Sequence, residues 1–176
     1  MLAARVLSLR GSLAAFSSAL FVMMHTVACT AGTASNNCAL NTCTSGAVLK
    51  TFANVTRDQM QTATISACID NQCVSGTPSS VPSSPGDRLT VSLQGQLNVT
   101  GYLGSPDPEK GYVVEADFNL SDSAPAASDT YQLFVTTADG TKVAGGIDET
   151  AIFTKTTPNG ADCPPVCQNA VIDKTQ

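Results

Sequence analysis

Between Leu89 and Val99 the chain alternates with a period of two: Leu89, Val91, Leu93, Leu97 and Val99 fall on one side, Thr90, Ser92, Gln94, Gln96 and Asn98 on the other. Successive side chains of a strand point to opposite faces, so this stretch predicts one β-strand with a buried face and a wet face. Gly95 falls on the apolar side, where a missing side chain predicts a bulge or the close approach of another backbone. The same period returns in Val114, Ala116, Phe118 and Leu120 against Glu115, Asp117 and Asn119, and again in Tyr131, Leu133 and Val135 against Gln132 and Thr136.

Less regular runs rich in β-branched or small residues predict further strands at 48–55, 62–67, 142–147, 150–156 and 169–172. Turn signals separate them: Asp139-Gly140 as a hairpin turn, Asp70-Asn71 as another, and 104–111 (GSPDPEKG) as a polar loop. Pro78, Pro82 and Pro85 make 76–86 a long irregular connection. No amphipathic helix exceeds a couple of turns. Seven or eight short strands over one domain from Cys38 to Gln176 predict an all-β fold, an antiparallel β-sandwich of immunoglobulin-like type, with a small β-barrel as the alternative. Asp129-Thr130-Tyr131-Gln132-Leu133 resembles the tyrosine corner of immunoglobulin and fibronectin type III domains. That resemblance implies a Tyr131 hydroxyl bonded to a neighbouring loop; the alternative is a half-buried edge aromatic.

The first 28 residues follow a different pattern. Arg5 and Arg10 precede an apolar run from Leu13 to Met24, the layout of a signal peptide and too short for a membrane-spanning helix. Thr26-Val27-Ala28-Cys29 resembles the lipobox of bacterial lipoproteins, with Thr26 where Leu is usual. The resemblance implies cleavage before Cys29, diacylglyceryl on its thiol, and a membrane as partner through that lipid; residues 29–37 would then be a polar tether. The alternative is an ordinary secretory signal cut after Ala28 or Ala34 and a soluble secreted product.

There are seven cysteines, and lipid on Cys29 leaves six: Cys38, Cys43, Cys68, Cys73, Cys163 and Cys167. Export implies an oxidising compartment, so these are expected as three disulfides. Sequence leaves 15 connectivities open. Cys68 with Cys73 is the first expectation, because a four-residue turn lies between them. Cys38–Cys43 and Cys163–Cys167 are the next local pairs, and a staple joining the chain ends is the competing arrangement.

Composition then narrows the chemistry. The net charge of -5 and pI near 4.6 exclude a basic face for nucleic acid. Removing 28 residues from 176 leaves 148, with seven basic against fourteen acidic side chains; His25 leaves with the signal segment. A mature chain without histidine lacks the commonest general base and metal ligand, so the expectation is no enzyme and no cofactor.

Cys163-Pro164-Pro165-Val166-Cys167 resembles the CPxVC copper site of Sco-type chaperones, which implies Cu(I) on Cys163 and Cys167 as a remote alternative. The helices and distal histidine of that family are missing. Gaps of four, four and three residues between cysteines do not suit zinc knuckles or a C-x-x-C redox pair. Asp107 with Glu109, Asp122 with Asp129, and Asp148 with Glu149 are loop carboxylates that could hold calcium or serve as a glycosidase pair, set against solvated loop charge. Residues 158–167 (PNGADCPPVC), with the hairpin Cys68 to Cys73, resemble uncharacterised exported bacterial proteins with an immunoglobulin-like sandwich. That likeness brings no activity. The reading is therefore a lipid-anchored cell-envelope protein with a non-catalytic binding or structural domain, its partner an envelope protein or glycan, and loops 76–88, 104–111 and 121–129 as contact surfaces.

Overall fold

The computed structural model describes residues 41–120, 125–143 and 145–176. The signal segment, the tether, Cys29 and Cys38 lie outside the described residues.

The chain opens with β1 (Gly46–Ala53), whose Ala47, Leu49, Thr51 and Ala53 turn inward in strict alternation. A short helix α1 (Arg57–Thr62) follows. Thr56 caps it by accepting the Gln59 N–H, while the Gln59 side chain accepts the Thr56 N–H, and its buried Met60 closes one end of the core. The hairpin of β2 (Thr64–Ile69) and β3 (Gln72–Gly76) turns at Asp70, whose φ of 54° lies in the left-handed region that Asp tolerates. After the irregular connection come β4 (Arg88–Val91), β5 (Val99–Asp107) and β6 (Gly111–Asn119). The chain ends through β7 (Thr130–Thr136), β8 (Ile147–Thr150), β9 (Thr154–Thr156) and β10 (Cys167–Asp173).

Two sheets result, one of six strands in the order β4-β5-β6-β1-β10-β9 and one of four in the order β3-β2-β7-β8. Their inner faces share one core: Leu49, Leu103, Val114 and Phe118 from the larger sheet meet Ile65, Val74, Leu133 and Ile147 from the smaller. Both sheets keep open edges, so this is an all-β sandwich with immunoglobulin-like layering and no barrel is closed. Among the described residues all strand pairings are antiparallel except β1 with β10, which run parallel with Gly46 opposite Asn169 and Lys50 opposite Asp173.

Several sequence expectations need correction. Leu89–Val99 is two strands. After Val91 the chain leaves the six-stranded sheet, and Gln94 exchanges both backbone hydrogen bonds with Ser75 of β3 before β5 begins. Gly95 allows this excursion: a Cβ there would lie 2.6 Å from Val74 Cγ1 and 2.9 Å from the Cys73 carbonyl oxygen, the close approach that its place in the pattern predicted. The segment 104–111 is mostly strand, with β5 running to Asp107 and Asp107 Oδ1 accepting the N–H groups of Glu109 and Lys110 in a tight turn. Lys142 makes one isolated bridge with Thr136, and the strand expected at 142–147 begins only at Ile147. The run 150–156 breaks where Ala151 and Phe153 pack against the core as the chain passes between sheets.

Tyr131 is neither a tyrosine corner nor an edge aromatic. Its ring is fully buried, edge-on to Phe118 at 5.4 Å and tilted against Phe153 at 5.8 Å, and its hydroxyl has no hydrogen-bond partner among the described residues. Cys68–Cys73 forms as expected, between directly opposed residues of the hairpin. The other local pairs do not form. Cys43 bonds Cys167 across 124 residues of sequence, the staple of chain ends, and Cys163 is itself disulfide-bonded. The parallel β1–β10 pairing starts just beyond that bridge and brings the two distant segments together.

Candidate binding site on the outer face of the six-stranded sheet

Inward positions of β6 carry Val114, Ala116 and Phe118, so Glu115 and Asp117 must point outward. Register then decides what Glu115 meets: Lys50 stands opposite on β1 and Tyr102 opposite on β5. Lys50 Nζ lies 3.2 Å from Glu115 Oε2, and Arg88 Nη2 of the edge strand β4 lies 2.5 Å from Oε1 and 4.0 Å from Asp117 Oδ2. Arg88 faces Gly104 across the β4–β5 pair. With no side chain there, the guanidinium can lie across the sheet, and it stacks 3.5 Å above the centre of the Tyr102 ring.

The Glu115 side chain at the centre is only 11% exposed, whereas the side chains of Lys50 and Arg88 keep 36% and 49% of their surface. Two cations thus cover one buried anion and still reach solvent. Burial, and next the adjacent Glu115 carboxylate, push the pKa of Asp117 above the ordinary carboxylate range, against the pull of Arg88 and Lys50. A groove of about 470 Å³ opens beside these groups, lined by Lys50, Arg88, Tyr102 and Glu115 together with the glycines at 86 and 104. Its rim is tied down: Gly86 N–H donates to Ser105 Oγ, Ser105 N–H donates to the Asp87 carbonyl, and Asp87 Oδ2 accepts the Ser84 N–H. The groove therefore offers two fixed, half-exposed cations and an aromatic ring on a rigid sheet, an arrangement that receives acceptor groups of a ligand.

At Glu115 charged side chains converge, because β1 contributes Lys50, β6 Glu115 and Asp117, and β4 Arg88, which reaches over Tyr102 of the intervening β5. The acidic pairs singled out for calcium are engaged elsewhere. Asp107 caps its turn, Asp148 accepts from Gln132 Nε2, Glu149 pairs with Lys174, and Asp129 accepts the Ala126 N–H; Asp122 lies outside the described residues. Among the described residues no group of three His, Cys, Asp or Glu side chains is placed to hold a metal. Cys163 and Cys167 are both oxidised, Cys167 to Cys43, so they present no thiolate pair for Cu(I). The disulfides suit an oxidising, extracytoplasmic environment, and among the described residues no helix is long and apolar enough to cross a membrane.

No protein-family model matches the chain, and comparison with curated proteins and with solved structures finds no significant similarity.

Proposed function

We propose that the protein is an exported binding module, anchored to a membrane through lipid on Cys29 and non-catalytic, which presents the Lys50–Arg88–Glu115 groove to a partner in the cell envelope. The carrying observation is the convergence of Lys50, Arg88 and Tyr102 around the buried Glu115 carboxylate beside a groove of about 470 Å³. Before the start of β1, Asn159 clasps the Asn41 backbone in both directions, and Cys43 is bonded to Cys167. Lys50 lies four residues further along β1, about 13 Å away at strand rise. An anchored domain meets membrane neighbours at high effective concentration, so a modest groove suffices for occupancy.

Intact mass of the exported protein tests the anchor: a chain beginning at Cys29 with two or three acyl groups is expected. An unmodified amino terminus at Cys29, Thr30 or Ser35 refutes anchoring and leaves the secreted alternative. The groove is tested separately by chemical crosslinking in native envelopes, where Arg88→Ala with Lys50→Ala should abolish a specific crosslinked species while circular dichroism stays unchanged.

A further inference from the structure

Two neighbouring rows of outward side chains build the groove at Glu115, and they differ in character. Lys50, Glu115 and Tyr102 stand opposite one another on β1, β6 and β5 and form a charged row. The next row begins with Phe52 opposite Val113, both half-buried, and continues through Gly104 to Arg88 on the edge strand β4. Gly104 opens that row, because a Cβ there would lie only 3.1 Å from Val113 Cβ and would fill the space between Val113 and Arg88. On the rim Gly86 adds no side chain either, and a Cβ on it would meet nothing within 4 Å. The result is a trough with apolar ground at Val113 beside two cations, and Val113, Gly104, Lys50 and Arg88 all line the groove.

The grip on Glu115 shows what the two cations are spaced to hold. Arg88 Nη2 donates to Oε1 at 2.5 Å and Lys50 Nζ lies 3.2 Å from Oε2, so the pair spans the two oxygens of one carboxylate. A guanidinium carries five N–H donors and an ammonium three, so both retain donors beyond those spent on Glu115. The Tyr102 ring, 3.5 Å from the guanidinium carbon, covers one of its faces and holds it in place over the groove. Three carboxylates stand around the two cations: Glu115, Asp117 with Oδ2 4.0 Å from Arg88, and Asp87 on the rim. That balance opposes a doubly charged anion, whereas a single charge can be met directly by the remaining donors.

We infer that this groove takes a ligand with one carboxylate on an apolar group: the carboxylate lies over Lys50 and Arg88, and the apolar group lies on Val113 in the trough that Gly104 leaves open. The inference rests on the reading of the groove as the binding surface and needs no lipid anchor. Two sources share this chemistry, a free aliphatic or aromatic acid and the carboxyl terminus of a polypeptide that ends in an apolar residue.

The probe is 3-phenylpropionate, titrated calorimetrically into the purified exported protein, with 3-phenylpropanamide and acetate as matched controls. Saturable binding is expected, about tenfold or more tighter than that of the amide, which offers no charge to the two cations. Acetate, without an apolar group to bury, should also bind more weakly. Arg88→Gln and Lys50→Gln should each weaken phenylpropionate about tenfold, with circular dichroism unchanged. Gly104→Val, which fills the trough, should weaken phenylpropionate and leave acetate unaffected. Asp117→Asn removes a repelling charge beside Arg88 and should tighten binding, a direction that general loss of structure does not produce. Acetyl-Gly-Gly-Phe and its carboxamide separate the sources: tighter binding by the peptide acid supports a polypeptide terminus, and binding of phenylpropionate alone supports a free acid. Absence of saturable binding by both acids, equal affinities for acid and amide, or unchanged binding in both Arg88→Gln and Gly104→Val would overturn the inference. A crosslinked envelope species that needs Lys50 and Arg88 yet is displaced by neither acid would overturn it as well, and would leave the groove standing as the binding surface.

Discussion

Glu115 and Lys50 stand directly opposite each other on β6 and β1, and the Glu115 carboxylate is more deeply buried than either cation that serves it. The asymmetry sets what each substitution does. Glu115→Gln leaves Lys50 and Arg88 close together without their anion, but both are exposed enough to be solvated, so the expected loss is about 1 kcal/mol, less than for a fully buried pair. Arg88→Ala removes the stack on Tyr102 as well as the ion pair, and should cost a similar amount. Urea unfolding at low and high salt checks both. The gap between wild type and Glu115→Gln should narrow with salt, and no narrowing would show that the carboxylate contributes through packing alone.

Two of the three alternating segments were legible because period two is a local property: β6 and β7 lie where their patterns fall. Local chemistry also sufficed for the turns at Asp70 and at Asp139-Gly140, where Gly140 takes a φ of 87° and Asp139 accepts the Thr141 N–H. Cys68–Cys73 follows from its turn in the same way. The break at 92–98 was hidden because a chain crossing between two inner faces can keep its alternation. The Cys43–Cys167 bridge depends on a parallel pairing of the first and last strands, which no local pattern encodes. The groove was hidden for the same reason: Lys50, Arg88 and Glu115 read as isolated surface charges until strand register places them on one face.

Tyr131 yields a pH dependence of known sign. Its folded pKa of about 12 stands above the ordinary tyrosine value of 10, so the folded state holds the proton more tightly than the unfolded state does. The resulting stabilisation is complete below pH 10 and is lost as pH rises from 10 to 12. Tyr131→Phe should abolish this alkaline decline. At neutral pH the same substitution removes a buried hydroxyl without a partner among the described residues and should raise stability by about 1 kcal/mol. Chemical denaturation at pH 7 and pH 11 measures both effects, and an unchanged alkaline slope in Tyr131→Phe rejects the assignment.

Asp117 carries the opposite consequence to an ordinary surface carboxylate. Because its pKa is raised, protonation favours the folded state, and stability falls as pH rises through its folded value. Asp117→Asn should therefore match the wild type in acid and exceed it at pH 7, by about 0.5 kcal/mol given solvent screening at a partly exposed site. Asp107, Asp139 and Asp173 are held below the usual range by hydrogen bonds within their turns, so their contributions are present above their ordinary value and fade as pH falls. Thermal unfolding of wild type and Asp117→Asn from pH 3 to pH 8 separates the two trends, and a gap that widens in acid would contradict the raised value.

The remaining cysteines tie the proposed anchor to the disulfide pattern. Cys43, Cys167, Cys68 and Cys73 form two bridges, and Cys163 is bonded as well. Only Cys29 and Cys38 are left among the seven as its partner. A thiol carrying diacylglyceryl cannot form a disulfide, so lipid on Cys29 requires Cys163 to pair with Cys38. Two staples would then join the chain ends close together, and the second would constrain little chain that the first had not already closed. Substituting both Cys43 and Cys167 with Ser should thus cost much less than the roughly 5 kcal/mol that loop closure over 124 residues predicts for a lone bridge. Peptide mapping of the exported protein without reduction decides the pairing. A fragment linking Cys163 to Cys38 is the expected outcome, and one linking Cys163 to Cys29 would exclude the lipid anchor.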